Sequence, residues 1–171
     1  FGTSLWLEGL FDPNQVAGPS YFGNTAHKDG DMVSYVTDDM TDSETWTPVQ
    51  INAVIQALAA EAERVGDGID MKVVQEGRKL IADSDRCGGC HKFGDNDMDF
   101  GGAPDLTGWG TREWIVGIIN DPSHERFYGE MNDRMPSFGK SENGATSMLT
   151  TKEVELLADW LRESWYRPKS L

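Results

Sequence analysis

Cys87-Gly88-Gly89-Cys90-His91 contains both cysteines of this 171-residue chain. Two thiols three residues apart on a helical turn face the same way, and a histidine follows at once. In this form Cys-x-x-Cys-His is the attachment signature of c-type haem. The spacing suits that chemistry, because each thiol can add to one vinyl group of a porphyrin while the adjacent histidine meets the iron from the same side. Three plainer readings are weaker. A disulfide here would close a very small loop and stabilise little. A thioredoxin-like dithiol belongs after a strand in a βαβ pattern, which the sequence lacks. A zinc site needs four ligands, and the other histidines are only His27 and His124.

On the N-terminal side, residues 70–81 place Val73, Val74, Gly77, Leu80 and Ile81 on one face. That spacing predicts a helix running into the cysteine turn. Thr150-Thr151-Lys152-Glu153 reads as a capping box, and Val154, Leu157, Ala158, Leu161 and Trp165 follow at helical spacing until Pro168. A C-terminal amphipathic helix of about four turns is therefore expected.

With Gly101-Gly102-Ala103-Pro104-Asp105-Leu106 and Arg134-Met135-Pro136-Ser137-Phe138 added, residues 70–166 resemble the class I cytochrome c family. The resemblance implies a mainly α fold wrapped on one covalent haem c, attached through Cys87 and Cys90. It implies that His91 ligates the iron and that the Pro104 carbonyl accepts a hydrogen bond from the ring's other nitrogen, making the imidazole more electron-rich. It also implies Met135 as the sixth ligand, a soft thioether that raises the potential. Met131, Met148 and His124 are alternatives for that position; Met98 follows His91 too closely to reach the far face comfortably. The expected pocket comprises Leu80, Phe93, Leu106, Trp109, Trp114, Ile115, Ile118, Phe127, Tyr128, Phe138 and Leu157. The C-terminal helix should cross the helix before the haem turn. An acidic, glycine-rich loop at 93–102 and a polar stretch at 140–147 depart from a compact module.

Residues 1–64 echo the rear part of the chain. Gly2-Thr3-Ser4-Leu5-Trp6 parallels Gly110-Thr111-Arg112-Glu113-Trp114. Tyr21-Phe22-Gly23 parallels Phe127-Tyr128-Gly129, Met32-Val33-Ser34-Tyr35 parallels Met135-Pro136-Ser137-Phe138, and Thr47 to Ile51 parallels Thr150 to Val154. This reads as a partial cytochrome c-like module, 1–66, lacking its own Cys-x-x-Cys-His. A haem-binding domain, 67–171, follows the glycine-containing join at 65–68. Either an upstream haem segment has been trimmed or the first module has degenerated. Trimming is the favoured reading and leaves Met32 as the ligand of an absent haem. His27 and Met40 read more simply as exposed loop side chains than as haem-facing groups. Asp95, Asp97 and Asp99 lack the spacing of a twelve-residue calcium loop.

The chain carries 29 acidic and 15 basic side chains, a net charge of −14. That excess disfavours nucleic acid and anionic membrane surfaces, which recruit lysine and arginine. No apolar run approaches the roughly 20 residues of a transmembrane helix. The expected function is one-electron transfer outside the cytoplasmic membrane, in the periplasm or on the membrane's outer face, rather than enzymatic turnover. The tandem arrangement looks like the cytochrome c portion attached to quinol-oxidising cytochrome b complexes. That likeness implies redox partners such as a membrane cytochrome b or a small soluble cytochrome. An acidic face fits a basic docking partner and a salt-sensitive on-rate. Two other readings remain. One is an open-site haem that binds or reduces peroxide, carbon monoxide or nitric oxide, with His124, Arg126 or Arg134 as distal polar groups; the other makes residues 1–64 a docking surface.

Overall fold

The computed structural model describes residues 1–64, 69–96, 99, 103–139 and 147–164. Within them the protein is mainly helical and contains no strand. Six α-helices follow in order: α1 Ser4–Leu10, α2 Asp31–Thr37, α3 Pro48–Glu61, α4 Met71–Ala82, α5 Arg112–Asn120 and α6 Thr151–Leu161. No helix among the described residues is long and apolar enough to cross a membrane.

The sequence echoes reappear as repeated local geometry. Thr3 caps α1 by accepting from the Trp6 amide, and Thr111 caps α5 by accepting from the Trp114 amide. Thr47 with Gln50 and Thr150 with Glu153 form capping boxes at the starts of α3 and α6. Each box satisfies two amides that a helix start leaves unpaired. Gly9 leaves room for the Tyr21 ring, as Gly117 does for Phe127. Beyond the two C-terminal ends, Glu63 and Glu163 share a left-handed backbone, with φ 55° and 54°.

An aromatic chain joins the two halves. Tyr21 packs on Trp6 at 5.3 Å between ring centroids and Phe127 on Trp114 at 5.2 Å. Trp6 meets Phe1, Trp114 meets Trp109, and Phe1 closes the link to Trp109 at 5.0 Å. The hydrophobic core is consequently one continuous cluster spanning both halves.

Two helical expectations need correction. The main packing partner of α4 is α3, whereas α6 packs on α5. Small residues explain the choice: Gly77 lies against the Ala53 carbonyl and the Ala57 methyl, so the two backbones approach more closely than side chains would allow. Arg78 pairs with Glu61 at 2.6 Å across the same contact. The second correction concerns α6, which ends at Leu161 rather than running on toward Trp165. Its carbonyl ends are closed by Arg162, Glu163 and Ser164 amides bonding to Ala158, Trp160 and Asp159. Trp165, Pro168 and the 65–68 join lie outside the described residues.

Candidate functional site

α4 is capped by Asp70 and buries Val74, Gly77, Leu80 and Ile81, delivering the chain to residue 83. The Asp83 carbonyl then accepts from the Arg86 and Gly88 amides, both at 3.0 Å, and folds the cysteine segment back on the helix end. A Cβ at Gly88 would strike the carbonyls of Ala82 and Asp83, and one at Gly89 the carbonyl of Ser84. Glycine between the cysteines is therefore a steric requirement of this turn. The Cys87 carbonyl accepts from the Cys90 amide at 3.1 Å and from the His91 amide at 2.8 Å. These bonds wind residues 87–91 into one helical turn.

Both thiols are free; Cys87 is half-buried and Cys90 exposed. Burial pushes the Cys87 thiol up to about 12, against a small opposing effect of Arg86. His91 Nδ1 lies 2.7 Å from the Pro104 carbonyl oxygen. A carbonyl only accepts, so Nδ1 carries the proton and Nε2 keeps its lone pair. Burial lowers the His91 pKa, with the Pro104 bond and the Asp105 charge opposing it. The ring is thus a neutral, oriented donor.

The segment that presents Pro104 is itself anchored. The Leu106 amide donates to the Lys92 carbonyl and the Asp105 amide to the Arg126 carbonyl, both at 2.9 Å. The Trp114 indole donates to the Asp105 carbonyl at 3.0 Å. Asp105 is buried and its carboxylate is met by Arg126 at 3.2 Å. Arg126 also donates to the Thr107 carbonyl at 2.7 Å. Sequence reasoning gave Arg126 only a possible distal role; its observed place is as the clamp on this segment. An arginine twenty-one residues from its carboxylate partner leaves no local pattern that could have announced the pair.

Leu80, Phe93, Leu106, Trp109, Trp114, Ile115 and Phe127 are buried in the common core, with Ile118, Tyr128, Met135, Phe138 and Leu157 packed at its margin. Two of these side chains face the N-terminal half: Trp109 packs on Phe1 and Trp6, and Tyr128 stacks on His27 at 5.8 Å. His27 is accordingly half-buried, and Met40, expected to be an exposed loop side chain, is a core residue with 5% exposure. Met131 and Met148 are exposed, whereas Met32 and Met135 both pack against the core. The exposed His124 accepts from the Arg126 amide through Nδ1. Met98, Gly101, Gly102, Asp97 and residues 140–146 lie outside the described residues. Among the described residues, no three His, Cys, Asp or Glu side chains gather at metal-holding distance.

The arrangement offers two thiols on one turn, beside a neutral imidazole whose second nitrogen is oriented by a backbone carbonyl. Compared with family models, curated proteins and solved structures, the chain matches none.

Proposed function

We propose that this chain is a one-electron carrier that would hold one haem c through Cys87 and Cys90, with His91 as an iron ligand. The observation that carries the reading is the 2.7 Å contact between His91 Nδ1 and the Pro104 carbonyl, directly beside two free thiols. A haem ligand must be a neutral imidazole presenting one lone pair, and second-sphere bonds of this kind fix the tautomer and raise ligand basicity. The donor set fits the group: two thiols for thioether bonds, one imidazole nitrogen, and an apolar, aromatic surround.

When bound, the haem would supply an iron that cycles between ferrous and ferric. Gly88 and Gly89 let the cysteine turn lie against the end of α4, and Leu106, Trp109, Trp114, Tyr128 and Phe138, in or beside the common core, would help keep water from the group. A methionine sulfur as second ligand would favour the reduced iron; the sequence nominates Met135. The net charge of −14 suits a redox partner with a basic docking face. Thioether attachment would suit the periplasm or the outer face of the cytoplasmic membrane, and the tandem arrangement suits a quinol-oxidising complex as partner.

The test is a pyridine haemochrome assay with intact-protein mass on the chain expressed with haem-attachment machinery. One covalent haem per chain, lost in Cys87→Ser/Cys90→Ser, is the expected result. A chain that matures without covalent haem would refute the reading.

A further inference from the structure

The haem-bearing segment, residues 70–96, docks on the N-terminal half of the chain. Three contacts show this. Along α4, Gly77 sits against Ala53 and Ala57 of α3. At the cysteine turn, the Arg86 guanidinium lies 4.4 Å over the Trp46 ring and donates to the Thr45 carbonyl at 3.0 Å. The Trp46 indole donates to the Tyr35 hydroxyl at 3.1 Å. Residues on the approach to α3 thus meet the turn, and Tyr35 of α2 stands behind them through its bond to Trp46.

The repeat gives these contacts a meaning. Met32 precedes Tyr35 by three residues on α2, so the two side chains share a helix face. Both pack on the same core as Cys87. Met32 stands as far ahead of its capping threonine, Thr47, as Met135 does ahead of Thr150. The loop carrying Met135 is tied to Ser123 and to residues 24 and 26. Asn132 donates to the Met135 carbonyl and to Ser123, the Asp133 carboxylate accepts from the Ala26 amide, and Arg134 donates to the Asn24 carbonyl.

From this placement we infer that Met32 would supply the sulfur ligand to the iron, with residues 1–64, 70–96 and 103–106 forming a composite haem site. The inference rests on the haem reading above and replaces Met135 in it. A thioether from either position is chemically equivalent toward iron, so the choice follows from which half the cysteine turn rests on. The described residues from 107 to 164 then pack against the composite site rather than supplying its iron ligands.

The experiment compares the holoprotein with Met32→Leu, Met135→Leu and Met32→His, reading covalent haem per chain, the weak far-red charge-transfer band of sulfur-ligated ferric haem, and thermal unfolding. Leucine keeps side-chain volume, which separates ligation from packing. Loss of the band in Met32→Leu, its retention in Met135→Leu, and a low-spin spectrum without the band in Met32→His are expected. Loss in Met135→Leu with retention in Met32→Leu overturns the inference while one haem per chain upholds the proposed function. Retention in both variants also overturns it. Absence of covalent haem overturns both readings. Met32→His yields its low-spin spectrum only if position 32 faces the iron, so it also detects a Leu variant that merely unfolds.

Discussion

Arg162 and Glu63 pair at 3.1 Å, and the pair is mirrored by Arg64 and Glu163 at 3.5 Å, so the ends of α3 and α6 clamp each other reciprocally. The two clamps differ in depth. Arg162 is 7% exposed and also donates to the Ala62 carbonyl at 3.0 Å and to the Gly110 carbonyl. The Ala62 carbonyl closes α3, so there the cation also meets the negative end of a helix dipole, while Gly110 leads into α5.

Replacing Arg162 with methionine should therefore cost about 2–3 kcal/mol, because buried carbonyls lose their donor without gaining water. Removing only the exposed carboxylate, in Glu63→Gln, should cost well under 1 kcal/mol, as for other solvent-screened pairs. Urea unfolding of the two variants checks this. Equal losses would mean that the ion pair, and not the carbonyl contacts, holds the junction.

Gly77 gives a second case. A Cβ at this position would meet the Ala53 carbonyl and the Ala57 side chain. Gly77→Ala should raise helix propensity yet destabilise the protein by about 1–3 kcal/mol, the range of overpacking in a filled core. A stabilised Gly77→Ala variant in urea unfolding would show that α4 does not pack on α3 through this residue.

How much of this was legible in the sequence depends on range. The caps were: Thr150 with Glu153 lies within four residues, and the same signal at Thr47 marks α3. The α4 face, the cysteine turn and the correspondence between Trp6 and Trp114 also follow from spacing alone. The partner of α4 did not. Both α3 and α6 are similarly capped, and the nearly all-round apolar α3 against the amphipathic α6 shows which is more central without naming its partner. What decided it was small residues meeting face to face, Gly77 with Ala53 and Ala57. Met40 was misjudged for a related reason: the acidic residues Asp38 and Asp39 beside it are exposed, while a turn over residues 39–41 sends the methionine inward. The contact between His91 and Pro104 was named from a resemblance, and no spacing rule would have yielded it.

The two capping boxes should respond differently to acid. Gln50 closes the box on α3 and does not titrate, whereas Glu153 closes the one on α6. Hydrogen bonds from the Thr150 amide, and then from its hydroxyl, hold the Glu153 carboxyl below its ordinary value of 4.5. A folded pKa below the unfolded one means the stabilisation is fully present above 4.5 and is lost as pH falls through the folded value. Glu153→Gln should consequently lower the thermal midpoint near neutrality and match the parent chain at strongly acidic pH. The parallel Gln50→Glu variant should gain the pH dependence that α3 now lacks. A constant gap between Glu153→Gln and the parent across the acid range would show that the carboxylate's charge does not contribute.

The two cysteines should differ in reactivity before any haem is attached. The thiolate is the nucleophile, and its abundance follows the pKa. With its pKa near 12 and its side chain half-buried, Cys87 is protonated at neutral pH, while Cys90 is exposed. Iodoacetamide at pH 7.5, quenched over a time course and read by peptide mass spectrometry, should label Cys90 well before Cys87 in the folded apo chain. In urea the two rates should converge, because unfolding removes the burial that raises Cys87. Arg86→Ala should leave the order unchanged in the folded protein, since burial outweighs the opposing Arg86 charge. The same logic bears on maturation. If the proposed haem is attached, a thiol held protonated and half-covered is a poor partner for its vinyl group, so attachment through Cys87 should proceed faster on the unfolded chain than on the prefolded one. A time course of haem attachment with the two starting states would show that order, and faster attachment to the prefolded chain would contradict it.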